Sequence, residues 1–142
     1  MIRLKLISLN GAHFDEDVYE VIIPTKDGEI AVYGGHAPLL SVASPGLVAI
    51  RKDKNIKDDN REFVAIYGGT IEVLNDTVIV LVDEVDIPSE IHEAEAEKAY
   101  QRALEHKTKA KDVVALQEAQ AMIDRSAVRL KLANIKKRSH RR

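Results

Sequence analysis

The sequence predicts an α+β protein: an N-terminal β-sandwich over residues 1–87, followed by a C-terminal antiparallel two-helix hairpin with a basic tail over residues 88–142. Short β-branched runs punctuated by Gly, Pro and Asn fill the first segment, which is the pattern of successive strands. After Pro88 no Gly or Pro occurs, and Ala, Glu, Lys and Leu dominate, as in helices. The formal charge also changes sign, from −7 (eight Lys/Arg, fifteen Asp/Glu) to +5 (thirteen against eight), which indicates two segments with different partners.

Seven short runs predict the strands of the first segment: residues 3–9, 18–23, 28–33, 46–51, 62–67, 70–74 and 77–82. The last two runs flank Asn75-Asp76, a pair that favours a tight hairpin turn. A polar loop over residues 52–61 separates the fourth run from the fifth. Short strands at this spacing are typical of a β-sandwich or a β-barrel.

The second segment begins with a predicted helix start over residues 86–90. Pro88 suits the first turn of a helix, and Asp86 or Ser89 is available as its N-cap. Apolar residues then recur at helical spacing, which predicts a first helix from Glu90 to about residue 106.

A break over residues 108–112 separates the two predicted helices. Asp112 is predicted to cap the second helix, which runs from about residue 113 to 135, and residues 136–142 are predicted to be a disordered basic tail. Ala-rich faces let helices approach closely, which favours an antiparallel hairpin. Because each helix has only a narrow apolar stripe, we expect the hairpin to gain little from burial and to detach from the sandwich readily.

The sequence argues against an enzyme, and no catalytic or metal-ligating residue is predicted. The five His residues are scattered, and no HExxH, GxSxG, Walker A or GxGxxG pattern occurs. The absence of Cys excludes disulfides and Cys-based zinc sites. No signal peptide is predicted, and no apolar run approaches the roughly 18 residues that span a bilayer. We therefore expect a cytosolic chain, or one that is peripheral on a cytosolic membrane face.

Residues 27–41 are the most informative stretch. They contain a predicted turn at Asp27-Gly28, a strand, a Gly34-Gly35 pair that permits unusual backbone paths, and His36 before an apolar segment. Taken by spacing alone, these are two loops of a sandwich with solvent-exposed charge. The letters GEIAVYGGHAPLLS, followed by PGLVAI and YGGTIEV, also resemble the signature of the ATP synthase epsilon-subunit family, called delta in mitochondria. The order of a sandwich and then two helices matches this family over nearly the whole chain.

The resemblance implies a non-catalytic rotor subunit in the central stalk of a proton-translocating ATP synthase. In this family the sandwich binds the gamma subunit and rests on the membrane-embedded c-ring. The family positions at the c-ring contact correspond here to Asp27, Glu29 and His36. Glu29 and His36 both lie next to turns, which we expect to present them at one end of the sandwich. A rotor base needs charge pairs and shape fit against the ring, since it transmits torque.

The resemblance further implies that the helices regulate hydrolysis. In the family they pack on the sandwich, or extend along gamma between the alpha and beta subunits and block ATP hydrolysis. The matching cations for an acidic segment of beta are Arg125, Arg129, Lys131, Lys136, Lys137 and Arg138. The alternative is a solvated helix face and tail. We expect the folded-down helix to offer these cations little compensation, because acidic loops beyond a Debye length, about 8 Å, compete poorly.

The family's nucleotide motif, Ile/Leu-Asp-x-x-Arg-Ala, is not matched, because Pro88, Ser89 and His92 stand where its Asp and Arg would be. We therefore expect no cofactor and no ATP binding, since a triphosphate needs several cationic donors. The resemblance implies a peripheral position on the cytoplasmic face of the cell membrane, with membrane association only through the complex. Two alternatives stay open: a generic adaptor, or a nucleic-acid-binding module that uses the basic tail. The acidic sandwich and an aromatic content of 4% argue against nucleic acid.

Overall fold

The structure, a computed structural model, describes residues 1–140. Backbone contacts divide the chain after Val85 into two compact units, two residues before the boundary expected from the sequence. The first unit is built of strands and the second of helices. The predicted fold class, a β-sandwich followed by two helices, is confirmed.

The first unit forms one continuous sheet in the order β2-β1-β7-β6-β5-β3-β4, and β8 pairs separately with β6. Along the order from β2 to β4, the neighbours are antiparallel except β1 and β7, which are parallel. The strands are β1 (Ile2–Ser8), β2 (Gly11–Val18), β3 (Glu20–Thr25), β4 (Gly28–Tyr33), β5 (Leu39–Arg51), β6 (Glu62–Leu74), β7 (Thr77–Leu81) and β8 (Val85–Asp86).

Strands β5 and β6 have 13 residues each and belong to both layers of the sandwich. We define the first layer as β2, β1, β7 and the paired halves 69–74 of β6 and 39–43 of β5. The second layer is β4, β3 and the paired halves 46–51 of β5 and 62–67 of β6. The bend lies at Pro45 on β5 and at Gly68-Gly69 on β6. A Cβ on Gly69 would overlap the carbonyl oxygen of Leu81, and its φ of 143° also favours glycine.

The core lies between the layers and follows the alternation of each strand. In β1, for example, Ile2, Leu4 and Leu6 are buried while Arg3 is exposed. The other fully buried aliphatic side chains include Val18, Val21, Ile23, Val32, Val48, Ile66, Ile71, Val78 and Val80. Burial of these aliphatic side chains, at roughly 1.5–3 kcal/mol each, is what holds the sandwich together.

The strands differ from the expected ones in three places. Gly11–Val18 forms the edge strand β2, which was not predicted. The runs 62–67 and 70–74 are one strand, because Gly68-Gly69 bends the chain without ending it. Likewise β5 begins at Leu39 and not at residue 46. The predicted Asn75-Asp76 hairpin is confirmed, and both residues have the positive φ of a type I′ turn.

The second unit consists of a short 3₁₀ turn (Pro88–Glu90), α1 (Glu93–Lys109) and α2 (Val113–His140), and the two helices pack against each other. The predicted N-cap of the first helix is wrong: α1 begins after His92, which makes no side-chain cap bond. Asp112 does cap α2, since its Oδ1 accepts a hydrogen bond from the backbone N–H of Ala115 at 2.7 Å.

The predicted disordered tail is wrong for residues 136–140, because α2 continues to His140. Lys136, Lys137 and Arg138 are good helix formers and no Gly or Pro follows them, so nothing in the backbone ends the helix at residue 135. The rest of that predicted tail, residues 141–142, lies outside the described residues. Within residues 1–140 no helix has both the length and the apolarity needed to cross a membrane.

Candidate functional site

Asp27 and Glu29 lie together at the turn between β3 and β4. Asp27 is in the two-residue turn that joins the strands, and Glu29 is the second residue of β4, paired with Pro24. Both carboxylates are exposed. Thr25 fixes the turn by donating its hydroxyl to the carbonyl of Gly28 at 2.5 Å. The turn thus presents two carboxylates on a short, hydrogen-bonded support.

His36 lies at the other end of β4, three residues after the strand has ended. The loop that contains His36 is held by the β6–β7 hairpin, since the N–H of Gly35 donates to Asp76 Oδ1 at 2.6 Å. The ring Nδ1 of His36 lies 2.6 Å from the carbonyl oxygen of Ala37. The loop is therefore ordered by local contacts, and His36 itself is half-buried.

The expectation that one end of the sandwich presents both Glu29 and His36 is wrong. Strand β4 runs between them, and the four steps from Glu29 to Tyr33 alone span roughly 13 Å at about 3.3 Å per residue. A turn on each side of a strand places the two turns at opposite ends of the sheet. The structure brings Asp27 and Glu29 together and separates His36 from them.

An ionic cluster, missed by the sequence analysis, lies at the His36 end of the second layer. Glu20 is only 1% exposed, and its Oε1 accepts from Arg61 at 2.8 Å while its Oε2 lies 3.3 Å from Arg51. Asp58 bonds both guanidiniums from the surface. The hydrogen bond to Glu20 raises the pKa of Tyr33, with burial as a second cause. The register pairs Glu20 with Tyr33 on one side and with Arg51 on the other. A Glu at an inward position of a strand, opposite an Arg, is the sequence feature that could have indicated this cluster.

A second feature missed from the sequence is an exposed apolar surface on the outward side of the first layer, which we call the apolar face. Along β5, Leu40 is 77% and Val42 59% exposed, while Leu81 of β7 is 49% exposed. The sheet register aligns Val42, Thr70, Leu81 and Ile7 in one row across four strands. The adjacent row contains Leu40, Glu72, Ile79 and Lys5. Large apolar side chains that are exposed together on one side of a sheet indicate a binding surface for another molecule.

The predicted inhibitory cations lie on α2, and several are held within the helical unit. Arg129 Nε lies 2.9 Å from Asp86 Oδ2. Lys136 donates to the carbonyl of Ile91 at 3.3 Å, and Lys137 lies 3.5 Å from Glu93. The expectation that the folded hairpin offers them little compensation is therefore wrong for these three. Of the remaining predicted cations, Lys131 and Arg138 are exposed and Arg125 is half-buried.

Two shallow pockets adjoin the start of α1. One, of about 350 Å³, is lined by Ile91, His92, Glu93, Ala94, Ala133, Lys136 and Lys137. The other, of about 340 Å³, has Asp86, Glu90 and Glu95 on its wall beside Arg129. Acidic and basic side chains thus both line the pockets at this helix start. Among the described residues, no three acidic, His or Cys side chains are grouped as ligands of a metal ion.

Comparison with known proteins identifies the family. The sequence model described as "ATP synthase, Delta/Epsilon chain, beta-sandwich domain" matches residues 1–87. The chain belongs to this family. Membership agrees with the resemblance carried by residues 28–41, and it makes the chain a non-catalytic subunit of ATP synthase.

The similarity to this family extends over the helices. The chain is 33% identical to the ATP synthase epsilon chain of Chloroflexus aggregans over 136 residues, which is 96% of this chain and 94% of the relative. It is 30% identical to that of Staphylococcus saprophyticus, with 94% and 97% covered. A chain in the Euglena gracilis mitochondrial ATP synthase (OSCP/F1/c-ring) has the same fold, with a TM-score of 0.80 at 21% identity, and 94% of this chain and 81% of that chain are covered.

Proposed function

We propose that this chain is a central-stalk rotor subunit that couples gamma to the c-ring of a proton-translocating ATP synthase and restrains ATP hydrolysis through its helices. Membership of the ATP synthase family supports the rotor role. The observation that carries the proposal is the apolar face, with Leu40 and Val42 more than half exposed at its edge. A subunit that turns with gamma needs a permanent interface, and permanent interfaces are the more hydrophobic ones.

Gamma binding is tested by placing a charge on the apolar face. Val42→Arg and Leu81→Arg each bury a guanidinium against the partner, so we expect each to weaken binding of the purified gamma subunit by at least tenfold, measured by calorimetry. Ala31→Arg is the control, because Ala31 is exposed on β4, in the second layer and not on the face. Equal binding by all three variants would remove gamma from this face.

We assign the c-ring contact to the Asp27–Glu29 turn, which presents two exposed carboxylates, and not to the half-buried His36, which lies at the opposite end of β4. Charge reversal, Glu29→Lys, is expected to reduce ATP-driven proton pumping by the membrane complex while the hydrolysis rate of the detached soluble complex stays unchanged. Substitution of His36 by Leu is the comparison. If His36→Leu reduces pumping and Glu29→Lys does not, the other end of the sandwich faces the ring.

Inhibition of hydrolysis is the finer part of the proposal. The basic side chains of α2 suit an acidic surface of the beta subunit. Three of them already have partners in the helical unit, so the inhibitory contact must compete with the bonds of Arg129, Lys136 and Lys137. Substitution of Lys131 and Arg138 tests the inhibitory contact most directly, since both side chains are exposed.

Truncation after Asp112 is expected to raise the ATPase rate of the reconstituted complex. Lys131→Gln with Arg138→Gln should reproduce part of that rise, and added salt should do the same. The control pair is Lys98→Gln with Arg102→Gln, which removes equal charge from exposed positions of α1. An unchanged rate after truncation would make the helices structural or assembly elements.

ATP is not part of the proposed mechanism. The acidic first turn of α1, with Glu93 and Glu95, opposes a triphosphate at the helix start. We expect no heat of binding from the isolated chain at millimolar ATP, and saturable binding would refute this. We place the chain on the cytoplasmic face of the cell membrane, held there by gamma, the c-ring and, when extended, the alpha and beta subunits.

A further inference from the structure

The apolar face contains one carboxylate near its centre, and this carboxylate specifies the partner's chemistry. Glu72 of β6 is exposed and points outward between Leu40 of β5 and Ile79 of β7, which are its cross-strand neighbours in the register. We propose that the partner on this face presents a cationic side chain, Arg or Lys, to Glu72, and that this pair sets the orientation of the partner. The inference rests on the proposed gamma contact and deepens it.

Glu72 differs from the carboxylates at the edge of the same layer. On β2, Asp15 and Asp17 have Arg3 on the neighbouring strand, at 2.7 and 3.4 Å. Such cross-strand pairs are the usual way a sheet surface accommodates charge. Glu72 has aliphatic neighbours on both strands instead, and no described residue forms an ion pair with it. The nearest cation in its row is Lys5, two strand spacings away, or about 10 Å.

Docking of a partner changes the surroundings of Glu72. A partner that covers Leu40, Val42 and Leu81 also removes water from the carboxylate between them. A carboxylate buried without a partner is strongly unfavourable, whereas a paired one is tolerated and is specific in its geometry. Arginine is enriched at the centre of interfaces and can bind a carboxylate through two parallel hydrogen bonds. An apolar partner surface without a cation is therefore disfavoured here.

The test measures binding of the full chain to the purified gamma subunit by calorimetry at low and high salt. Glu72→Gln keeps the shape of the side chain and removes its charge, so we expect Kd to rise at least about tenfold and its salt dependence to become weaker. Asp53→Asn is the matched control, since Asp53 is an exposed carboxylate in the 52–61 loop, away from the face. It is expected to bind like the unmodified chain. Thermal unfolding of both variants is expected to be unchanged, because both positions are exposed.

A charge exchange identifies the partner cation. Glu72→Lys is expected to bind still more weakly, and one Arg→Glu or Lys→Glu variant of gamma should restore its binding while weakening binding of the unmodified chain. If Val42→Arg weakens binding and Glu72→Gln does not, the proposed gamma interface stands and the proposal for Glu72 is overturned. If neither weakens binding, the face is not the gamma interface and both proposals fail. A homodimer of the unmodified chain that Glu72→Gln converts to a monomer would assign the face to a second copy and overturn the choice of partner.

Discussion

Removal of the buried charge of Glu20 is expected to destabilise the sandwich strongly. Glu20→Gln keeps the volume of the side chain and leaves the guanidiniums of Arg51 and Arg61 without their inner counter-charge. Those two side chains are only 15% and 17% exposed, so water replaces little of the lost interaction. Breaking a buried ion pair on one side costs about 3–5 kcal/mol. Because Asp58 still bonds both arginines from the surface, we expect a loss near the lower value, about 3 kcal/mol.

A loss of this size is measurable by urea unfolding of the full chain, followed by tyrosine fluorescence, since three of the four tyrosines lie in the first unit. The midpoint should fall while the slope stays constant. In thermal unfolding, about 3 kcal/mol corresponds to roughly 12–24 °C for a unit of this size.

The control is Glu16→Gln, which breaks an exposed pair with Lys52 at 3.0 Å and is expected to cost less than about 1 kcal/mol. If Glu20→Gln costs no more than this control, the cluster is solvated and the reasoning from burial is refuted. A further variant with Met at positions 20, 51 and 61 should recover most of the lost stability, because apolar replacement of a whole buried ion cluster is often neutral.

Three further predictions concern single positions. Gly69→Ala is expected to destabilise the sandwich more than Gly28→Ala in urea unfolding: both positions have positive φ and share a strain of roughly 1–3 kcal/mol, but a Cβ meets other atoms only at Gly69. Tyr33 is expected to ionise, in an absorbance titration, above the usual pKa of about 10, and Glu20→Gln should bring that pKa down. Because the raised pKa belongs to the folded state, its stabilising share is present below pH about 10 and is lost as the pH rises through the folded value. Asp112→Ala is expected to cost about 1 kcal/mol of helix stability, seen as faster amide exchange in the first turn of α2.

The fold class could be predicted from the sequence because periodicity and turn chemistry agree over most of the chain. The exceptions have local physical causes. Strand β2 contains Asp15, Glu16 and Asp17 and has no alternating apolar pattern, because an edge strand that is exposed to solvent on both faces needs none. The predicted strands begin at residue 46 and stop between residues 67 and 70, but at the corner of a bent sheet Pro45 and the Gly68-Gly69 pair lie within continuous strands.

The candidate site could be predicted only in part. Proximity in the sequence suggests that Glu29 and His36 act together. Strand β4 runs between them, however, and places them at its opposite ends. The apolar face could not be found from a single strand, since exposed Leu40 and Val42 have the same alternation as a core-facing pair. Only the register across four strands shows which side of the sheet they occupy.

The two bent strands also affect how the sandwich resists a sideways load. In a sandwich whose layers share no strand, only side-chain packing opposes the sliding of one layer over the other. Here the backbones of β5 and β6 pass from one layer into the other, and they stay hydrogen-bonded to each other on both sides of the bend. A shear force on the first layer is thus carried into the second through covalent bonds and a hydrogen-bond ladder, so two strands that bend together make the sandwich stiff against sliding of its layers.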